Sequence, residues 1–484
     1  METFDKAAID ARLRAAFPLK GRYHNRFHFE MPFGLINDPN GLVRADGVTH
    51  IFYQWNPLGC EHKNKCWAHT ATRDYVHYTV PELALWPSDA HDKDGCYSGS
   101  GFAEKGADGK TKIRVLYTCN AKNDGVRTPA QRLGTLRADG SIEKNDIIIE
   151  TNAPGYTGHF RDPYVFYRHG ERYLVLGAQR ENKTGTALLY HEENGVWQGP
   201  REILTQLEDF GYMWECPNLL KFGDRDVLIF CPQGLTAEAY RYQNRYQAGY
   251  IVGHLSVQGG QMIHGHFHEL DKGFDFYAPQ VFSDAGRHIL LGWVGMPDEA
   301  AAYPTAAEGF VHSLTLPRVL TLRQGKIFSA PARELRNLRI EETAQDIDAQ
   351  AATEVRASLG EGAEVMLDLT LGRAQRVTFT LAYGLERLVF AYDRETQVMR
   401  IDRDGMKQGA RGVRQFRLFA DERLALRLFV DRTVVEAFFQ HGEEVATVNV
   451  FPQKYILPEL IVTSDAALES VTGRVWELDG YHFR

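Results

Sequence analysis

Cysteine is scarce in this chain, with six in 484 residues. So few over such a length cannot form a disulfide scaffold, and the fold must rest on buried apolar surface. Long apolar runs are absent, which excludes a membrane-spanning helix. The opening residues, Glu2 to Leu13, lack the apolar centre of a secretory signal and read as a short amphipathic helix, so a cytoplasmic location is expected. Positive charge is also short. Lys and Arg number 55 against 63 Asp and Glu, a net charge of −8 that disfavours a nucleic-acid binder.

Metal-binding spacings are missing too. Cys60, His62, Cys66 and His69 crowd one stretch, but they match no standard zinc pair, and Trp67 interrupts them. Asp89, Asp92 and Asp94 before Gly95 resemble part of a calcium loop, yet Ala90 stands at the first ligand position and the closing glutamate is lacking. No metal and no cofactor are expected. The sequon Asn182-Lys183-Thr184 carries no weight without a secretory signal.

What the chain does have is aromatic side chains, 12% of residues, and three acidic tripeptides closed by proline: Asn37-Asp38-Pro39, Arg161-Asp162-Pro163 and Glu215-Cys216-Pro217. In the first two, proline directly follows the acid and biases it toward extended backbone, as suits a strand end pointing into a pocket. Carboxylates gathered in a cleft serve metal binding or acid/base and nucleophilic work on a glycosidic bond.

Their surroundings recur. Asp38 precedes the strand-like Ile51–Trp55, Ser98-Gly99-Ser100 precedes Val115–Thr118, and Asp162 precedes Tyr173–Leu176. Glu215 precedes Val227–Phe230, and Ala278-Pro279-Gln280 precedes Ile289–Trp293. A period of roughly sixty residues, each unit holding several short strands, predicts propeller blades whose first strands line a central channel. Five cycles predict five blades. From Val355 onward, alternating strands with close turns predict an antiparallel sandwich. The expected organisation is all-β, a five-bladed β-propeller followed by a C-terminal β-sandwich. Its parts are an N-terminal helical segment over 1–22, the propeller over 23–330, a linker over 331–353 and the sandwich over 354–484.

The motifs resemble those of glycoside hydrolase family 32, the β-fructofuranosidases or invertases, and most closely its bacterial members acting on sucrose 6-phosphate. The matching stretches are Asn37–Gly41, Phe52–Pro57, Cys66–His69, Gly95–Ser100, Gly158–Pro163, Tyr212–Pro217, Phe276–Gln280 and Phe429–Glu436. The resemblance implies a retaining hydrolase releasing fructose from sucrose or its phosphate, with a small sugar as its partner and no nucleic acid or membrane. It implies Asp38 as nucleophile, Glu215 as general acid and base, and Asp162 as transition-state stabiliser, with Arg161 orienting the acids. Asn37, Gln54, Tyr97, Ser98 and Trp293 match positions that line the fructose pocket. Trp214 is expected to shield Glu215. A fructosyltransferase or fructo-oligosaccharide hydrolase would use the same acids. An arabinan-cleaving propeller would leave the sandwich unexplained, and a sugar-binding protein would be expected to lack one of the acids.

Departures from the family pattern fall at Leu35, Ile36, His62, Ala68 and Asn218, and they touch the pocket beyond fructose. A phosphate there would call for Arg or Lys. Lys63 with Lys65, and Arg241 with Arg245, are the expected candidates.

Overall fold

The computed structural model describes residues 4–106, 108–297, 299 and 303–484. Residues 34–331 form small antiparallel sheets in a propeller-like arrangement, followed by one large C-terminal sheet. The first strands of the small sheets are Gly34–Ala45, Cys96–Lys105, Tyr156–Arg168, Met213–Phe222 and Tyr277–Asp284. Each pairs with the strand that follows it, and each pairing slips at the same relative place. The slips fall between Ile36 and Pro39, Cys96 and Gly99, Arg161 and Tyr164, Glu215 and Asn218, and Tyr277 and Gln280.

Such a bulge leaves extra residues outside the ladder and re-aims their side chains. Proline, which cannot donate to a ladder, is tolerated there. Asp162, Cys216 and Ala278 carry the positive φ of these kinks, at 66°, 47° and 46°. Neighbouring sheets also approach one another closely. A Cβ on Gly101 would lie 2.2 Å from the Gly41 carbonyl oxygen, and one on Gly177 would lie 2.0 Å from that of Trp214.

The first sheet is tied by distant segments. Phe310–Val311 runs parallel to Gly34–Leu35, and His482–Phe483 runs parallel to His77–Tyr78. The helix Lys6–Ala16, capped by Asp5, also docks here. Its buried Asp10 accepts the Leu83 N–H at 2.8 Å, and Leu13 joins the core of Tyr53, Trp55 and Leu83.

Residues 331–353, expected as a linker, are structured instead. A short 3₁₀ turn over Arg333–Leu338 leads into the twenty-residue strand Arg339–Ser358, paired with Glu459–Leu478. Its side chains are mostly exposed, so it shows little of the alternation that marks a half-buried strand. Glu459–Leu478 pairs with Arg376–Tyr383 near its start and with Ala363–Thr370 near its end. This one strand thereby joins both halves of the large sheet, whose sandwich-like core holds Phe379, Phe390, Phe416, Leu428, Phe439 and Val448.

Candidate active site

The bulges bring the three acids to one cavity of about 260 Å³. Its lining includes Asp38, Asp162, Glu215, Gln54, Tyr97, Ser98 and Arg161, all expected from the sequence. It also includes His62, Lys65, Arg127, His159 and Gln233.

Asp38 is held by short side chains. Ser98 Oγ donates to its Oδ2, and Asn37 Nδ2 donates to its Oδ1 at 2.9 Å. Asn37 Nδ2 also reaches Gln54 Oε1 at 2.6 Å, and Gln54 Nε2 donates to Ser98 Oγ at 3.0 Å. Beneath them the buried Lys65 donates from Nζ to Asn37 Oδ1 at 2.6 Å. Burial pushes the Asp38 carboxyl up, and Ser98, Asn37 and Lys65 only partly offset it. Burial likewise brings the Lys65 ammonium down to about 7, against the pull of Asp38.

Glu215 is clamped at both oxygens. Arg161 donates to Oε1 from Nε at 3.1 Å and from Nη2 at 2.6 Å. Gln233 Nε2 and Tyr277 Oη donate to Oε2 at 2.7 and 2.6 Å. A hydroxyl can donate to a carboxylate or accept from a carboxylic acid, so Tyr277 suits either protonation state. Trp214 does not cover this carboxyl. It points to the other side of the strand, stacks on Phe230 at 4.2 Å and donates from Nε1 to Phe210 O at 2.7 Å.

Asp162 completes the group. Its Oδ2 accepts the Cys216 N–H at 3.0 Å and lies 3.9 Å from Arg161 Nε. The Cys216 thiol sits 3.8 Å from both Asp38 Oδ2 and Asp162 Oδ2. Burial raises the Asp162 carboxyl, Arg161 opposes this, and the Glu215 charge adds to it.

Trp293 is not among the cavity-lining side chains. It is buried against His62, stacked at 5.7 Å, and against Tyr277 and His312. Of the four expected phosphate candidates, Lys65 lines the cavity, bound to Asn37, and the other three are not among its lining residues. Lys63 is exposed beside Glu61, and Arg241 pairs with Glu238 at 2.7 Å. Arg245 lies over the Tyr246 ring, whose neighbour is Tyr277. Sequence reasoning passed over Arg127, His159, Gln233 and Tyr277. His159 and Tyr277 sit inside quoted motifs, whereas Arg127 and Gln233 lie on later strands of their sheets, Val126–Leu136 and Arg225–Gln233, where no motif marks them.

Several carboxylates in one cavity, with donors fixing each, suit acid/base and nucleophilic work on a glycosidic bond. Comparison with known proteins names the class. Residues 28–331 match the glycosyl hydrolases family 32 N-terminal domain, and residues 334–477 match the family 32 C-terminal domain. The chain belongs to glycosyl hydrolase family 32. It is 38% identical over 446 residues to a sucrose-6-phosphate hydrolase of Klebsiella pneumoniae, covering 90% of each chain. A solved sucrose-6-phosphate hydrolase of Lactobacillus gasseri superposes with a TM-score of 0.87 at 29% identity, over 99% of this chain and 97% of that one. A Bombyx mori β-fructofuranosidase, solved as a mutant in complex with sucrose, gives 0.83 at 25% identity over 99% of each.

Proposed function

We propose that this protein is a retaining β-fructofuranosidase that cleaves sucrose 6-phosphate and sucrose and releases fructose. One observation carries the reading: Asp38, Asp162 and Glu215 line a single cavity in a chain whose sucrose-6-phosphate hydrolase relative matches along 90% of its length. In this reading an Asp38 oxygen bonds to the anomeric carbon of the fructosyl unit. The glycosidic C–O bond breaks, and its electron pair leaves on the oxygen that takes the Glu215 proton. Glu215 then removes a proton from water, which displaces Asp38. Asp162 binds fructose hydroxyls as charge develops, and Arg161 keeps Glu215 aimed. Asn37, Gln54, Tyr97 and Ser98 shape the fructose pocket, with Trp293 supporting it from behind. Retention requires the two carboxyls about 5–5.5 Å apart, too close to admit a water between them.

The same reading takes each small sheet as one blade of a five-bladed propeller over 23–330, with the sandwich over 354–484, in the cytoplasm where sugar phosphates occur. The test is sucrose cleavage followed by NMR within seconds of mixing. β-Fructose is expected first, and an initial α anomer would overturn Asp38 as nucleophile. In the same assay Glu215→Gln is expected to lose about 10²–10⁴-fold on sucrose and less on fructosyl fluoride, whose leaving group needs no proton.

A further inference from the structure

A second cleft is built on the sheet that carries Asp162. Its volume is about 530 Å³, against about 260 Å³ for the acid cavity, and the two share no lining residue among the described residues. The first strand of that sheet, Tyr156–Arg168, holds Arg161 and Asp162. The order then runs through Glu171–Arg180 and Gly185–Glu193 to Val196–Glu202 at the far edge. The cleft lies on these later strands. It is bordered by the turn that follows Gly249–Leu255 in the next sheet, where Arg201 Nη1 donates to Val257 O at 3.0 Å.

A bulge gives the cleft its shape. Leu189 pairs with Arg201 and His191 with Gln198, so Tyr190 alone stands opposite Gly199 and Pro200. A Cβ on Gly199 would lie 2.7 Å from Tyr190 Cδ1 and 2.9 Å from Leu189 O, so only glycine lets the edge strand pass over that ring. Tyr173 and Tyr190 are buried and form an aromatic floor. His191 stacks on Tyr173 at 4.4 Å, which fixes its ring in the wall. Its Nδ1 lies 3.2 Å from Glu193 Oε1. Its Nε2 makes no hydrogen bond among the described residues, with Glu171 Oε2 3.4 Å away and misaligned.

The lining selects a class of ligand. Glu171 and Glu193 set against Arg201 favour neither an anion nor a polycation. The acids and His191 do not form a metal-binding group among the described residues. Hydroxyl groups fit better, because they both donate and accept. The carboxylates accept, the guanidinium donates, and the amides of Gln198 and Gln258 do both. Ring faces on the floor suit the apolar C–H face of a sugar, and the volume falls in the usual range for small-molecule sites, about 300–1,000 Å³. We infer that this cleft is a non-catalytic binding site for a neutral oligosaccharide of two or three sugar units, held apart from the acids.

Saturation-transfer NMR titrations with maltotriose and 1-kestose test the site. Maltotriose is added to wild type, and 1-kestose to Asp38→Asn, since the proposed hydrolase would consume it. Each titration is repeated with Glu171→Ala/Gln198→Ala added, and separately with Gly199→Val, which fills the space over Tyr190. Saturable binding of at least one sugar is expected. It should weaken about 10-fold with the double substitution, as for the loss of one or two hydrogen bonds, and vanish with Gly199→Val. In the wild-type background neither change should alter kcat/KM for sucrose. Should Gly199→Val fail to fold, the double substitution decides, because both of its side chains are exposed. Binding of neither sugar, or binding that the cleft substitutions leave unchanged, overturns the site. So does a cleft that takes spermidine or glucose 6-phosphate in place of both sugars. A wild type that binds maltotriose in the cleft yet cleaves no sucrose keeps the site and overturns the hydrolase reading instead.

Discussion

One contact of Lys65 decides which way the Asn37 amide lies. With its oxygen turned to the ammonium at 2.6 Å, Asn37 must present Nδ2 to Asp38 and Gln54. As the nucleophile of the proposed reaction Asp38 would have to be ionised; burial raises its carboxyl, and Lys65 pulls it back down. Lys65→Met removes that charge and frees the amide to turn its oxygen toward the carboxylate. Both changes raise the Asp38 pKa further. The acidic limb of the kcat/KM profile is therefore expected to move to higher pH and kcat to fall, for sucrose and sucrose 6-phosphate alike. A loss confined to the phosphorylated sugar would instead make Lys65 a phosphate ligand. Lys65→Arg should restore part of the profile, because it keeps a cation on Asn37.

At the level of the strand, the bulge is the device that turns a ladder into a site. The first strands that hold Asp38, Asp162 and Glu215 slip at or beside these acids, and proline fills the position where a ladder N–H is not needed. The strands converge because glycine faces backbone at the crossings, as Gly101 does at the Gly41 carbonyl. Gly101→Ala is expected to force those strands apart. It should cost about 1–3 kcal/mol of stability and reduce kcat, read from urea denaturation beside steady-state rates. An unchanged midpoint would mean that the crossing relaxes freely. The proline-closed acids were legible in the sequence because proline and the sixty-residue recurrence both mark first strands. Arg127 and Gln233 were not, since they reach the cavity from later strands whose periodicity signals only burial. Trp293 and Trp214 stood next to legible motifs, but strand alternation and packing took both rings away from the cavity. The strand Arg339–Ser358 escaped notice because its exposed faces need no apolar alternation.

Across the whole molecule, the large sheet holds the propeller-like part through charge rather than surface packing alone. Arg318 is buried and donates to Glu436 Oε2 at 2.8 Å, Asp271 Oδ2 at 2.9 Å and Thr447 Oγ1 at 2.6 Å. His28 bridges Asp431 at 2.9 Å and Glu436 at 3.1 Å, and Asp431 also accepts the backbone N–H groups of Arg26, Phe27 and His28. Glu436 further accepts the Leu316 N–H at 2.6 Å, close to the segment Phe310–Val311 that pairs beside Gly34 and Leu35. The network thus braces the strand that carries Asp38. Burial alone would lower the His28 pKa, but Asp431 and Glu436 outweigh it and hold it up to about 9. A folded pKa above the unfolded one, about 6.5, gives stability that is full below pH 6.5 and is lost as pH rises through 9. The expected contribution is about 3 kcal/mol at pH 6, fading by pH 10. His28→Gln leaves Asp431 and Glu436 partly unpaired, so it should be markedly less stable than wild type at pH 6, with the gap narrowing at pH 10. Urea denaturation at the two pH values checks this. A gap that stays the same at both would show that His28 is not the titrating group in this interface.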